Sequence, residues 1–169
     1  MLKRTWLVAA LIYSVSIASA QKYVSISSIN EIVAHYLAIK NSLVADDAAG
    51  AARNAKEMFN SLSSEPGKTL RPEQQKILNN YLEKLKYDSR HISEVSMIDH
   101  QREHFASLSR NLYEVLKGLQ MNTMTLYEQY CPMKKAYWLS DAEGVKNPYY
   151  GKKMPECGRI VATLTPVTK

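Results

Sequence analysis

The chain of 169 residues has few of the residues and none of the common motifs on which catalytic sites depend. It contains two cysteines, four histidines and six glycines, and the glycines form neither a phosphate-binding loop nor a dinucleotide-binding fingerprint. A Gly-x-Ser-x-Gly nucleophile elbow is also absent. Cys131 and His104 supply the residue types of a Cys–His dyad, but nothing in the sequence pairs them. We therefore expect a protein that is not an enzyme.

Positive charge is too mild and too scattered to indicate a nucleic-acid partner. The formal net charge is +6, and it becomes +4 when the two positive charges of Lys3 and Arg4 are removed with the leader described below. No cluster of lysine and arginine alternates with aromatic residues, as it does on nucleic-acid-binding surfaces. A charge of this size keeps a solvated surface soluble, so we expect no nucleic-acid partner.

The sequence also lacks an apolar run long enough to cross a bilayer, which takes about 20 residues. Its longest run, residues 6–17, follows a positive start and precedes Ala18-Ser19-Ala20, which has the small-x-small form that signal peptidase cleaves. We predict a signal peptide over residues 1–20 and one mature domain over residues 21–169, periplasmic or secreted and without a membrane span. An uncleaved N-terminal anchor is the alternative.

The spacing of apolar residues predicts four helices within about residues 28–120. Helices of this length with short connections are typical of an antiparallel four-helix bundle, so we predict a mainly α fold. The start and stop signals are the following: a Ser28/Glu31 capping box, Asp46-Asp47, Glu65-Pro66-Gly67, Pro72, and a break near Asp88-Ser89 before a fourth helix over about residues 93–119.

The residue pattern of the sequence changes after Gln120. Three short runs with β-branched or aromatic residues, 123–130, 136–139 and 159–164, are separated by proline and glycine. Such runs predict a small β-hairpin or an irregular cap on the bundle, over about residues 121–165. Because its apolar content is low, we expect a disulfide or a bound metal to hold it together.

Both cysteines lie in this cap, and each has a methionine close by. Met133 follows Cys131 by two residues, and Met154 precedes Cys157 by three. Thiolates and thioethers are soft ligands that suit Cu(I), and the paired Cys-x-x-Cys spacing of structural zinc sites is missing. We predict that these four residues form a soft-metal site. For the methionines, filling a core is the alternative.

The two cysteines have a second interpretation. In an exported small domain, two cysteines most often form a disulfide, and a disulfide sulfur is no longer a thiolate ligand. The alternative function is therefore a non-catalytic structural or protein-interaction module closed by a Cys131–Cys157 disulfide. The absence of Cys-x-x-Cys argues against a thiol-redox protein that cycles between both states.

Two histidines of the predicted fourth helix lie one turn apart. His100 and His104 are four residues apart and so share one side of the helix, and such a pair can bind Cu(II), Zn or Ni. A plain surface role is the alternative. His35 and His91 have no such companion, and we predict that they are structural or exposed.

Two polar residues fall near the middle of the apolar stripe of this helix. Gln101 and Glu94 must find partners there if they are buried. We expect the cap to dock over this part of the helix, which would bring Arg102, Glu103 and His104 near the sulfur ligands.

Several segments from His100 onward together resemble a known family. They are His100-Gln101-Arg102-Glu103-His104-Phe105, Leu108-Ser109, Tyr130-Cys131-Pro132-Met133, Trp138-Leu139-Ser140, Asn147-Pro148-Tyr149-Tyr150-Gly151, and Met154 with Cys157-Gly158. In these the chain resembles an exported Gram-negative domain family of unknown function. That family occurs as a stand-alone protein and fused to the periplasmic adaptor (membrane-fusion) subunits of heavy-metal efflux pumps.

The resemblance implies a periplasmic helical domain that binds a soft metal, copper above all, in efflux or trafficking. It implies an efflux-pump adaptor or another envelope protein as partner. The implied ligands are Cys131, Met133, Met154 and Cys157, with His104 and then His100 as added ligands. The Tyr-Cys-Pro-Met segment is also similar to the start of a heavy-metal-binding motif of copper efflux adaptors. There a histidine follows the methionine, whereas Lys134 stands here.

Overall fold

The computed structural model describes residues 26–166, so the predicted signal peptide lies outside the described residues. Four helices precede three short strands, and the fold is mainly α, as predicted. The helices are α1 (residues 26–44), α2 (Ala48–Ser63), α3 (Pro72–Glu94) and α4 (Ile98–Leu119). The strands are β1 (Leu126–Cys131), β2 (Ala136–Ser140) and β3 (Arg159–Leu164), with a 3-10 turn at Gly151–Lys153. None of the helices within residues 26–166 is both long and apolar enough to cross a membrane.

The local signals that bound α2 and α3 are confirmed. The Asp47 carboxylate accepts a hydrogen bond of 2.8 Å from the Gly50 N–H, which satisfies one of the unpaired donors at the start of α2. The second helix ends at Ser63, just before Glu65-Pro66-Gly67. Pro72 is the first residue of α3, where its missing N–H is not needed.

Two other boundary predictions are wrong. The first helix already includes residue 26, so Ser28 lies within it and does not start it. The third helix continues through Asp88-Ser89 because the Ser89 hydroxyl donates to the carbonyl of Leu85 one turn earlier, which satisfies the polar group inside the helix. The break comes later, and α4 therefore begins at Ile98.

Helix α4 lies at the centre of the molecule, packed against α3 on one side and β2 on another. Its predicted apolar stripe is buried: Phe105, Leu108, Leu112, Leu116 and Leu119. Tyr36 of α1 stacks on Phe105 with ring centroids 5.1 Å apart. The Tyr36 hydroxyl hydrogen-bonds the Ser109 hydroxyl at 2.7 Å and accepts the Leu139 N–H at 2.9 Å. One side chain thus joins α1, α4 and β2.

The three predicted runs correspond to three strands of one antiparallel sheet in the order β2-β1-β3. The cap is therefore a three-stranded sheet, since β3 pairs along the second edge of β1 in addition to the β1–β2 hairpin. Cys131 is the last residue of β1. Tyr130 pairs with Arg159 at the start of β3, and Cys157 is two residues before that strand. Both cysteines therefore come to the same end of the sheet.

Candidate metal centre

The two cysteines form a pair at this end of the sheet. Their Sγ atoms are 3.5 Å apart, and both thiols are free. Cys131 is buried and Cys157 is half-buried. The structure thus brings together the two residues on which both sequence interpretations depend.

The thiol of Cys131 lies in a pocket of hydrogen-bond donors. Burial raises its pKa, but donors from the Lys134 N–H, the Asn147 side chain, the Cys157 thiol and the Met133 N–H more than offset this, so the pKa is lowered overall. The Lys134 nitrogen is 3.4 Å from Sγ, because the turn after β1 folds back over the sulfur. Cys131 is therefore the thiol of the pair that more readily becomes a thiolate.

The thiol of Cys157 shifts in the opposite direction. Its hydrogen bond to Cys131 raises its pKa, and partial burial and the negative charge on Cys131 raise it further. The first proton that the pair loses therefore comes from Cys131, whose thiolate then accepts a hydrogen bond from the Cys157 thiol. A metal that binds both sulfurs displaces the second proton.

The distance between the two sulfurs is compatible with a shared metal and, after a small movement, with a disulfide. With metal–sulfur bonds of about 2.3 Å, as in zinc thiolates, a separation of 3.5 Å gives a sulfur–metal–sulfur angle of about 100°. Such a bent site has room for a further ligand. A disulfide instead needs the two sulfurs to approach to about 2.05 Å, which is a movement of about 1.5 Å.

The two methionines differ in their surroundings. Met133 lies in the turn after β1 and its side chain is 65% exposed, so it fills no core. Met154 is half-buried at the end of the 3-10 turn, and its carbonyl accepts the Cys157 N–H at 3.4 Å. Each methionine is thus linked to the cysteine pair by a backbone hydrogen bond, Met133 to Cys131 and Met154 to Cys157.

Asn147, which sequence reasoning noted only as part of a longer segment, holds the loop that positions Cys157. This buried side chain donates to the Cys157 carbonyl at 2.6 Å and accepts the Tyr149 N–H at 2.8 Å. The backbone N–H of Asn147 donates to the Pro155 carbonyl at 2.7 Å. An Asn-Pro dipeptide is typical of turns, but nothing in the sequence showed that this turn would close on the cysteine.

The expected docking of the C-terminal segment on α4 occurs at Arg102. This buried guanidinium donates to the Pro148 carbonyl at 2.8 Å and to the Leu43 carbonyl at 3.1 Å. It also pairs with the Asp46 carboxylate at 2.6 Å. The hydrogen bond from Arg102, and after it the hydrogen bond from the Lys152 N–H, lowers the pKa of Asp46. Desolvation of the carboxylate raises this pKa but offsets the lowering only in part.

Gln101, next to this arginine, turns toward the other helices. Its buried amide nitrogen donates to the carbonyls of Ala48, Ile92 and Val95 at 2.9–3.2 Å. Among the described residues its amide oxygen has no partner. Glu94 is the exposed last residue of α3 and needs none from the core.

His100 and His104 are neighbours on α4, with ring centroids 5.1 Å apart. His104 hydrogen-bonds Asp88 of α3 at 3.1 Å. Within the part of the chain that the structure describes, no hydrogen bond or ring contact joins either imidazole to a cysteine. No group of three or more His, Cys, Asp or Glu side chains there is arranged to hold a metal. Their role as added ligands of the sulfur site stays a prediction.

One family model matches much of the chain. The model of a family described as "Protein of unknown function (DUF3347)" matches residues 32–124, which is more than half of the chain. The match covers the four helices from within α1 onward, including His100 and His104, and ends before Cys131. No curated protein and no solved structure matches the chain.

Proposed function

Because the chain belongs to the DUF3347 family, whose function is unknown, we propose its function from the cysteine pair. The protein is an exported soft-metal carrier that binds Cu(I) through Cys131 and Cys157, with a thioether from Met133 or Met154 as the further ligand. It performs no chemistry beyond binding and transfer. The observation that carries this proposal is the pair of free sulfurs 3.5 Å apart.

The state of the cysteines supports metal binding. A thiolate is the form that binds metals, and the hydrogen-bond donors around Cys131 lower the pKa of its thiol despite its burial. Thiolate and thioether together select Cu(I) over harder cations. The exposure of Met133 allows its thioether to close over a metal from the solvent side.

The setting of the proposal comes from the sequence. A cleaved signal peptide would place the protein in the periplasm or outside the cell. Its resemblance to domains that are fused to efflux-pump adaptors suggests such an adaptor, or another envelope protein, as the partner that exchanges copper with it. In this proposal α1–α4 form an antiparallel bundle that supports the cap.

The experiment is an anaerobic titration of the reduced mature protein with Cu(I) against a competing chelator. We expect one tightly bound Cu(I) per chain, lost in the Cys131→Ser/Cys157→Ser variant and weakened by Met133→Leu or Met154→Leu. Met124→Leu is the matched control, since Met124 is also exposed but lies on the other side of β1 in sequence. Stoichiometric Cu(I) binding by the double serine variant would show that the site is wrongly assigned.

A second function is favoured by the same proximity of the sulfurs. A Cys131–Cys157 disulfide would close the cap between the end of β1 and the start of β3, and would stabilise the protein by about 3.5 kcal/mol. The protein would then be a structural or interaction module. Thiol counting on protein taken from its native compartment distinguishes the two, since zero free thiols support the module and two support the metal site.

A further inference from the structure

The excess positive charge of the predicted mature chain lies entirely in its C-terminal part. Residues 21–130 contain 13 lysines and arginines and 13 aspartates and glutamates, whereas residues 131–169 contain seven and three. Basic residues that are scattered along the whole sequence thus leave a net charge in the cap alone. A charge asymmetry of this kind indicates an interaction with a partner of opposite charge.

Five of these basic side chains lie beside the cysteine pair. They are all exposed, and we refer to them as the basic rim: Lys134, Lys135, Lys152, Lys153 and Arg159. The first two belong to the turn whose backbone covers the Cys131 sulfur. The next two lie in the 3-10 turn before Met154, whose carbonyl accepts the Cys157 N–H. Arg159 begins β3, two residues after Cys157.

The charge of the basic rim is not neutralised within the described part of the chain. No acidic side chain within residues 26–166 forms an ion pair with a member of the rim. The three acidic residues of the cap have other partners, which are Lys40 for Asp141, Tyr127 for Glu143 and Lys146 for Glu156. The rim therefore presents its positive charge to solvent, where it attracts an acidic partner and repels a second copy of the chain.

Next to the rim, β3 offers the backbone groups of a sheet edge. One side of β3 pairs with β1, and no other strand among the described residues pairs with the opposite side. Ile160 and Val161 of this strand are 39% and 41% exposed. The unpaired N–H and C=O groups of an edge strand can pair with an extended segment of another protein. A lipid surface has no backbone with which to form such a ladder, so the edge favours a protein partner.

We propose that the edge of β3 and the basic rim together form a docking surface for an extended acidic segment of a partner protein. The backbone of this segment pairs with residues 159–163, and its carboxylates lie near the rim. Charge complementarity speeds the encounter and fixes the register. The purpose of the contact, which is to bring a partner to the cysteine pair, rests on the proposed function. The docking itself requires neither copper nor free thiols.

The test is a nuclear magnetic resonance titration of the mature protein with a blocked hexapeptide in which glutamate alternates with valine. We expect the amide signals of residues 159–163 to shift, and the Kd to rise with salt because exposed charges are screened. The control peptide has the same sequence with every backbone nitrogen methylated, so it keeps the charges but cannot donate to β3. Equal binding of the two peptides, or no binding of either, would overturn the proposal.

Charge reversal tests the rim. Lys152→Glu/Lys153→Glu should raise the Kd of the peptide by about tenfold, because each substitution replaces an attraction with a repulsion. Neither of these two side chains makes a hydrogen bond or ion pair within residues 26–166, so the fold should be unaffected. Lys68→Glu/Lys76→Glu, at two exposed lysines of the helical part, is the matched control. Equal weakening by both pairs would show attraction to any positive charge and would overturn the docking surface.

Anionic lipid is the competing partner for a basic surface. Vesicles that contain phosphatidylglycerol should bind no better to the wild-type protein than to the Lys152→Glu/Lys153→Glu variant. Vesicle binding that is lost in this variant, without binding of the peptide to the wild-type protein, would assign the surface to a membrane and overturn the proposal.

Cu(I) titration of the same proteins separates this inference from the proposed function. Lys152→Glu/Lys153→Glu keeps every sulfur ligand, and we expect it to bind one Cu(I) per chain as the wild-type protein does. A wild-type protein that binds Cu(I) but not the peptide would overturn the docking surface alone. One that binds the peptide but not Cu(I) would overturn the proposed function alone.

Discussion

Replacing Gly151 by alanine should destabilise the protein far more than the same replacement at Gly144. Gly151 has φ of +53°, a left-handed conformation that glycine adopts without strain. A Cβ atom there would lie 2.1 Å from Asp46 Oδ1 and 2.6 Å from Arg102 Nη2. These two atoms form the ion pair that joins α4 to the α1–α2 connection, and the same two residues bind the C-terminal segment at the Pro148 carbonyl and the Lys152 N–H. The methyl group and the ion pair cannot both occupy this space.

The expected loss has two parts. A residue with a Cβ in the left-handed region costs about 1–2 kcal/mol. Pushing the Asp46 carboxylate away from Arg102 removes a hydrogen bond between charged groups, and such bonds contribute about 1.5–3 kcal/mol. Arg102 keeps its two backbone carbonyls, so the guanidinium is not left without partners. We therefore expect the free energy of unfolding to fall by about 3–4 kcal/mol, with a melting temperature lower by about 10 °C.

Urea unfolding followed by circular dichroism measures this difference. Gly144 is the matched control because no atom lies within 4 Å of a Cβ added there, and Gly144→Ala should change stability by no more than about 0.5 kcal/mol. If the two alanine variants were equally stable, Gly151 would not be packed against the ion pair as described. An unchanged m-value in Gly151→Ala would show that the substitution changes stability without changing the surface exposed on unfolding.

Three further predictions concern single groups. Because the pKa of Asp46 is lowered in the folded protein, its ionised carboxylate stabilises the protein above the pKa of an unfolded aspartate, and this stabilisation is lost as pH falls through the folded pKa. Asp46→Asn should therefore make the free energy of unfolding fall less steeply at acid pH. An unchanged acid dependence in this variant would contradict the prediction. Thiolate absorbance of the reduced protein should titrate in two steps, Cys131 below the ordinary cysteine pKa and Cys157 above it, whereas one combined step would argue against this order of proton loss. Tyr36→Phe should lower the free energy of unfolding by about 1–3 kcal/mol, since it leaves the buried Leu139 N–H unpaired and removes one partner of the Ser109 hydroxyl. Tyr87→Phe, at an exposed tyrosine, is its control, and an equal effect would refute the role of the buried hydroxyl.

Features of the fold that depend on neighbouring residues were predictable. Asp47 caps α2 and Pro72 begins α3 through interactions within their own first turns, so their types and positions indicated these boundaries. The break expected at Asp88-Ser89 did not occur because the two polar side chains find partners that their order in the sequence does not reveal. Asp88 is matched by His104 across the helix pair, and Ser89 by a carbonyl of its own helix.

The candidate site was predictable in its chemistry but not in its geometry. The residue types of Cys131 and Cys157 indicated a thiolate or disulfide pair, and the structure places their sulfurs together. Their approach depends on the loop that Asn147 closes and Arg102 anchors, both of which act through distant backbone carbonyls. His91 was expected to be structural or exposed, since only the packing of α3 on α4 brings it against His104.

The contacts of α1 with β2 have a consequence for the order in which the chain can fold. The Tyr36 hydroxyl meets the Leu139 N–H 103 positions later, and the buried Lys40 ammonium meets Asp141 after 101. A chain that ended after the segment matched by the family model would lack the partners of Lys40 at Ser140 and Asp141 and would leave the Tyr36 hydroxyl with Ser109 alone. The helical part is therefore completed by residues that lie about 100 positions later, and we expect closure of these long loops to make folding slower than in helical proteins whose contacts are local.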